Sequence, residues 1–261
     1  MEVIVVRKPE QAAPIVADAY SKLLAAKPDA VLGLATGSTP LGVYKELIRR
    51  HNEEGLSFAK VTTFNLDEYV GLPAGHPELY RTFIEREFTS QVDIDPAAVH
   101  GPDGLAEDLA AAGASYDQSI KDAGGIDIQI LGIGADGHLA FNMPMSSLAS
   151  RTRLKTLTPK TRADNARFFD DDVDQVPTHC LTQGLGTIME SRHAIMLGFG
   201  RGKAQAVREC VEGAVAAHWP ASILQMHPHA TVVVDADAAS QLAFTDYYRS
   251  TYAGKPAWQG I

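Results

Sequence analysis

Six short runs rich in β-branched residues recur along the chain, at Val3 to Val6, Val31 to Ala35, Val61 to Asn65, Ile126 to Leu131, Ala194 to Leu197 and Thr231 to Val234. Between them lie turn residues and longer stretches, such as Pro9 to Ala26, Pro40 to Glu53, Ala106 to Ala123 and Lys203 to Val211, whose apolar positions repeat at three- and four-residue intervals. A short strand that is apolar on both faces has to be covered on both faces, and a helix returning between parallel strands provides the cover. The alternation therefore predicts an α/β fold, a doubly wound and mostly parallel sheet flanked by helices. With 261 residues, 45% of them hydrophobic, the chain can bury one large core. No internal repeat, low-complexity tract or linker divides it, so residues 1–261 are expected to form a single domain.

Lysine and arginine number 23 against 32 aspartates and glutamates, and the net charge of −9 argues against nucleic acid or membrane lipid as partners, which need clustered cations. A small anionic substrate needs only two or three cations placed in a pocket, and the overall charge leaves that open. Cys180 and Cys210 make neither a disulfide framework nor a C-x-x-C pair. No run approaches the ~20 apolar residues of a membrane span, and Met-Glu-Val-Ile-Val-Val at the start lacks the basic region of a signal peptide. A cytoplasmic location is expected.

In an open parallel sheet, ligands bind beyond the carboxyl ends of the strands, and three of those ends carry chemistry. After Val31 to Ala35 comes Thr36-Gly37-Ser38-Thr39-Pro40, opening a helix. Gly37 lets the backbone approach a phosphate, the hydroxyls of Ser38 and Thr39 add donors, and the helix N-terminus presents unpaired N–H groups. The alternative reading makes Thr39 a plain helix cap. After Val61 to Asn65 come two consecutive acids, Asp67 and Glu68. A carboxylate in a partly dry cleft can serve as general base, whereas the plain alternative is a solvated loop acid or a helix-capping group.

After Ile126 to Leu131 comes Gly132-Ile-Gly134-Ala-Asp136-Gly137-His138. Asp136, two residues before His138, can set the tautomer and orientation of an imidazole acting as acid or base. The glycine spacing is not a dinucleotide fingerprint. No metal is expected: His227 and His229 are separated by Pro228 and precede a strand, which favours a structural role. Arg167, in the strandless stretch from Arg162 to Val176, and Lys203, which opens a helix, are candidate phosphate clamps; singly, each would more often be a surface cation.

Leu-Gly-Leu-Ala-Thr-Gly-Ser-Thr-Pro (32–40), Phe-Asn-Leu-Asp-Glu-Tyr-Val-Gly-Leu-Pro (64–73), Leu-Gly-Ile-Gly-Ala-Asp-Gly-His-Leu-Ala-Phe-Asn (131–142) and Ser-Ser-Leu-Ala-Ser-Arg-Thr-Arg-Leu-Lys-Thr-Leu (146–157) together resemble the glucosamine-6-phosphate deaminase family, whose fold is Rossmann-like and shared with 6-phosphogluconolactonase. The resemblance implies an enzyme that turns glucosamine 6-phosphate and water into fructose 6-phosphate and ammonia with no cofactor. It implies Asp67 as the base moving a proton between C2 and C1, His138 as the ring-opening group and Asp136 as its support. Gly37, Ser38, Thr39, Arg167 and Lys203 fall where the family holds the sugar phosphate. Some members are hexamers activated by N-acetylglucosamine 6-phosphate, and Ser146, Arg153 and Lys155 match that second phosphate site. A homo-oligomer with an allosteric site is the corresponding expectation.

The family motif continues Phe-Asn-Glu-Pro, but here it reads Phe141-Asn142-Met143-Pro144, and Met143 cannot accept a charge-assisted hydrogen bond. Loss of one electrostatic partner can cost on the order of 10² to 10³ in rate. The replacement leaves three readings: a slow deaminase, a diverged paralogue acting on a related sugar phosphate, and a silent sugar-phosphate sensor. Asp67, Asp136 and His138 together argue against the sensor. Leu79, where the family often has Ser in His-Pro-Glu-Ser-Tyr, suggests a reshaped pocket.

Overall fold

The β-branched runs form strands because they can be apolar on both faces at once, and the last two are buried at all six positions each. In a computed structural model describing residues 1–256 and 258–261, the strands are β1 (Glu2–Val6), β2 (Val31–Leu34), β3 (Thr62–Asn65), β4 (Asp67–Tyr69), β5 (Val99–His100), β6 (Ile128–Gly132), β7 (Arg153–Thr156), β8 (His179–Thr182), β9 (His193–Gly198) and β10 (Ala230–Asp235). The helices are α1 (Ala12–Ala26), α2 (Leu41–Glu54), α3 (Tyr80–Glu87), α4 (Leu109–Asp122), α5 (Pro159–Asn165), α6 (Leu185–Met189), α7 (Ala204–Val211) and α8 (Thr245–Ala253). Seven strands make a parallel sheet in the order β1-β10-β9-β6-β2-β3-β5, and its residues join those of the flanking helices and loops in the main apolar core. The expected α/β class and mostly parallel sheet are found.

The helix starts differ from expectation for local reasons. Pro9–Gln11 forms a separate 3-10 turn ahead of α1. The Asp108 carboxylate accepts the Ala110 and Ala111 N–H groups and so starts α4 three residues later than the periodicity suggests. α2 begins at Leu41 with Pro40 as its N-cap, so Thr39 is not the cap.

Four strands were not foreseen. One, β5, is a two-residue edge strand, and the others form a separate antiparallel sheet in the order β4-β8-β7. Two of its strands, Asp-Glu-Tyr and Arg-Leu-Lys-Thr, are too polar and short to resemble those of the main sheet. The stretch from Arg162 to Val176 is also more ordered than a loop: α5 and a 3-10 turn (166–168) cross it. Phe169 and Val176 anchor it in a second apolar cluster with Tyr69, Phe141, Leu157 and Cys180.

Strand order reverses between β2 and β6: the chain runs from β2 outward to β3 and from β6 outward to β9 and β10. The loops leaving β2 and β6 at their carboxyl ends therefore border the crevice where open α/β sheets bind ligands.

Candidate active site

Leu66 is the hinge between the two sheets. Its N–H donates to Leu34 of β2 (3.1 Å) while its carbonyl accepts from Gln183 just after β8 (2.7 Å). The next residue, Asp67, is thereby delivered to the first position of the small sheet. It is 6% exposed, and its carboxylate has no hydrogen-bond donor among the described residues. Burial, helped by the neighbouring Glu68 charge, pushes the acid up to about 8.

The adjacent acid behaves differently. Glu68 accepts the N–H groups of Tyr69 (2.9 Å), Tyr80 (2.9 Å) and Arg81 (3.0 Å), so its carboxylate caps the start of α3. Burial raises its pKa and these donors oppose the rise. The sequence left open which acid was free and which was a cap, and the geometry separates them.

His138 sits in a tight turn after β6. Its Nδ1 lies 2.6 Å from the Asp136 carboxylate, and this hydrogen bond is the main reason that acid is held down to about 2. The turn closes through Gly134 N–H to the His138 carbonyl (3.0 Å). A Cβ on Gly134 would fall inside the His138 ring, which makes that glycine a steric requirement of the imidazole position. Gly137 has φ +80° and lies against Trp219.

Side-chain hydrogen bonds tie this turn to the small sheet. The Phe141 N–H donates to Thr182 Oγ1 (3.2 Å), Thr182 is the β8 residue paired with Asp67, and Asn142 Nδ2 donates to the carbonyls of Leu139 (3.0 Å) and Gln183 (2.8 Å). Arg153 of β7 also pairs with Thr182 and donates to Asn142 Oδ1 (2.9 Å). Directly opposed residues share a face, so Asp67, Thr182 and Arg153 form one row across the small sheet.

The phosphate candidates are dispersed around this centre. Gly37 (φ +89°) and Ser38 are exposed in the loop from β2 to α2, and Thr39 is half-buried. Both the N–H and the carbonyl of Ala35 at the loop's base bond the buried Tyr44 hydroxyl (3.0 and 2.7 Å). Half-buried Lys203 precedes α7; burial lowers its pKa, and the Asp136 charge nearby opposes the change. Exposed Arg167 lies in the 3-10 turn with its guanidinium 4.7 Å from the Phe168 ring, and no hydrogen bond or ion pair joins it to the other candidates among the described residues. Met143 packs against the second apolar cluster. Ser146 is buried, and Lys155 pairs with Cys180 two residues along β7 from Arg153.

Three other features fall outside this centre. Leu79 precedes α3 and lines a cavity of about 350 Å³ with Glu68, Tyr69 and Arg81, whose lining does not include Asp67. His227 accepts the His229 N–H and bonds the Ser191 carbonyl, and the His229 ring stacks on His193 at 3.7 Å, at the opposite ends of β9 and β10. Among the described residues, no group of His, Cys, Asp and Glu could hold a metal, and no helix is long and apolar enough to cross a membrane.

The carboxylate-imidazole pair and the half-buried lysine follow β6 and β9 at the carboxyl ends of the large sheet, and the buried acid opens the small sheet just beyond β3, in a doubly wound α/β protein whose ligands bind beyond its strand ends. Residues 9–234 match the family of glucosamine-6-phosphate isomerases/6-phosphogluconolactonase, and the chain belongs to that family. Over the full length of both proteins it is 62% identical to a glucosamine-6-phosphate deaminase of Mycolicibacterium smegmatis and 63% identical to one of Beutenbergia cavernae. Among solved structures, a monomeric glucosamine-6-phosphate deaminase superposes with a TM-score of 0.89 at 43% identity, covering 92% of this chain and 100% of that one. A 6-phosphogluconolactonase from Trypanosoma cruzi shares the fold, with a TM-score of 0.72 at 19% identity over 93% of this chain and 97% of that one.

Proposed function

We propose that this chain is a glucosamine-6-phosphate deaminase, converting glucosamine 6-phosphate and water to fructose 6-phosphate and ammonia. The observation that carries the reading is the dry, unbonded Asp67 carboxylate in a sheet row stitched to the His138 turn. In this reading His138, oriented by Asp136, moves the anomeric hydroxyl proton to the ring oxygen and opens the sugar. Asp67 then takes the C2 proton while the C1 carbonyl oxygen gains one, forming an enolamine. Return of the proton to C1 leaves a C2 imine, and addition of water there expels ammonia. Gly37, Ser38 and Thr39 at the α2 N-terminus, with Lys203 and Arg167, would grip the phosphate.

Ring opening proceeds without a carboxylate at position 143. The Asp136 to His138 bond of 2.6 Å is the substitute orientation, and Met143 fills an apolar wall instead. A second anion site at Ser146, Arg153 and Lys155 belongs to the same proposal. Its support is the placement of Arg153 and Lys155 on one face of β7 and a buried Ser146 hydroxyl unpaired among the described residues. The chain would act in the cytoplasm as a single domain, as a homo-oligomer if that anion site spans subunits.

Purified protein given glucosamine 6-phosphate is expected to release fructose 6-phosphate and ammonia in equal amounts. Met143→Glu should raise kcat by about 10-fold or more, within the range of one electrostatic partner. A wild type with no product, whether or not the variant turns over, overturns the deaminase reading. Binding of sugar phosphates seen by thermal shift, with no turnover of any, would replace it with a sensor.

A further inference from the structure

The start of α3 lacks the side-chain cap that helices of this kind ordinarily have. Its N-cap residue is Leu79, which makes no side-chain cap bond, and the Tyr80 and Arg81 N–H groups are left for an outside acceptor. That acceptor comes from another element: Glu68 of β4 takes Tyr80 N–H on Oε1 and Arg81 N–H on Oε2, and holds its own neighbour's Tyr69 N–H as well. Both oxygens of a single, 5%-exposed carboxylate thus clamp a three-residue strand to a helix end. The residue before it in that strand is Asp67, whose carboxylate has no donor of its own among the described residues to fix it.

We infer that Glu68 is a positioning residue for Asp67, its carboxylate fixing β4 against the N-terminus of α3 in the place of the cap that Leu79 does not supply. The inference rests on the reading of Asp67 as the reaction's base. A strand of three residues has few bonds with which to hold a side chain to the tolerance that proton transfer requires, and the clamp supplies three of them. Glu68 also has an electrostatic effect. Tyr69, Tyr80, Tyr116 and Cys180 face Asp67 from β4, α3, α4 and β8, and burial raises the pKa of each. The charged groups around Asp67 are Glu68, the next residue on the opposite face of β4, with Arg81 beside it on α3, and Arg153 and Lys155 of β7 across the small sheet.

The test separates positioning from plain helix capping. Glu68→Gln keeps the shape but turns one acceptor into a donor, so kcat on the pH plateau should fall about 10- to 100-fold with KM changed less than threefold. With the neighbouring negative charge gone, the acid limb of kcat/KM should move to lower pH. Leu79→Ser added to Glu68→Gln restores a cap to the helix and should recover the melting temperature lost in the single variant, without recovering kcat. A plateau kcat within twofold of wild type in Glu68→Gln, or recovery of kcat together with stability in the double variant, overturns the inference. If Glu68→Gln does not fold, Glu68→Asp keeps the charge and shortens the reach; reduced kcat with an unmoved acid limb is then expected, and unchanged kcat overturns the inference. Asp67→Asn in the same assay distinguishes the two levels of failure. An active Asp67→Asn sinks the reading of the base itself, whereas an inactive one beside an unimpaired Glu68→Gln sinks the inference alone.

Discussion

The two sheets differ in what they are made of and in what they hold. The seven-stranded sheet is built of runs such as Ala-Thr-Val-Val-Val-Asp, buried along their length and paired by parallel ladders into the main core. The three-stranded sheet is built of Asp-Glu-Tyr, His-Cys-Leu-Thr and Arg-Leu-Lys-Thr, and it contributes Asp67 and Arg153 in one cross-strand row. The large sheet supplies stability through apolar area removed from water, while the small one spends stability on a dry carboxylate. In the proposed reading the chemistry sits where polar strands interrupt the apolar architecture, one residue beyond Leu66.

Removing the acid from the small sheet sharpens that contrast most. Asp67→Asn is expected to lower kcat by at least about 10³-fold while raising the melting temperature. Because the folded acid titrates near 8 against an ordinary value of 3.8, its protonated form favours folding, and stability is lost as pH rises from about 4 through 8. The variant should therefore gain most near pH 8 and little near pH 4, with a slope of at most about 1.4 kcal/mol per pH unit. Denaturant melts across that range check it, and a variant less stable than wild type at pH 8 breaks the assignment of cost to the small sheet.

At the exit of the large sheet the expected effect is smaller. Asp136→Asn keeps a hydrogen-bond acceptor for His138 but loses the charge, so kcat should fall about 10- to 100-fold with little change in melting temperature. Steady-state kinetics beside a thermal scan measure both quantities. A large loss of stability would place this pair with the core instead.

The smallest effect belongs to a residue of α2, the helix that follows β2 of the large sheet. Tyr44→Phe deletes the hydroxyl that both donates to and accepts from Ala35, at the base of the 36–40 loop. It should cost roughly 1 to 3 kcal/mol of stability and raise KM several-fold at nearly constant kcat. An unchanged KM would separate that loop's shape from phosphate binding.

The sequence carried the large sheet clearly, because runs like Val31 to Ala35 cannot be half-exposed without cost, and the turns after them follow from Gly and Pro chemistry. It also carried His138 and Asp136, since two residues of separation in a glycine turn bring their side chains together locally. β7 and β8 were not legible: Arg153 to Thr156 gains its partner only from residues 23 or more positions away, and nothing local marks it as a strand. Only the family resemblance singled out Asp67; read as two adjacent acids, Asp67 and Glu68 left their roles undecided, and no local signal pointed to Tyr44 or Thr182.

The amino-acid sequence by itself determined the covered parallel sheet, the glycine turn with its imidazole-carboxylate pair, and the departure at Met143, because each depends on residues close together in the chain. Tertiary structure alone decided which acid is dry and which is a clamp, and that Leu79 lines a cavity with Glu68. Burial and the identity of a hydrogen-bond partner are set by segments distant in sequence, and adjacent carboxylates are chemically alike until those segments arrive.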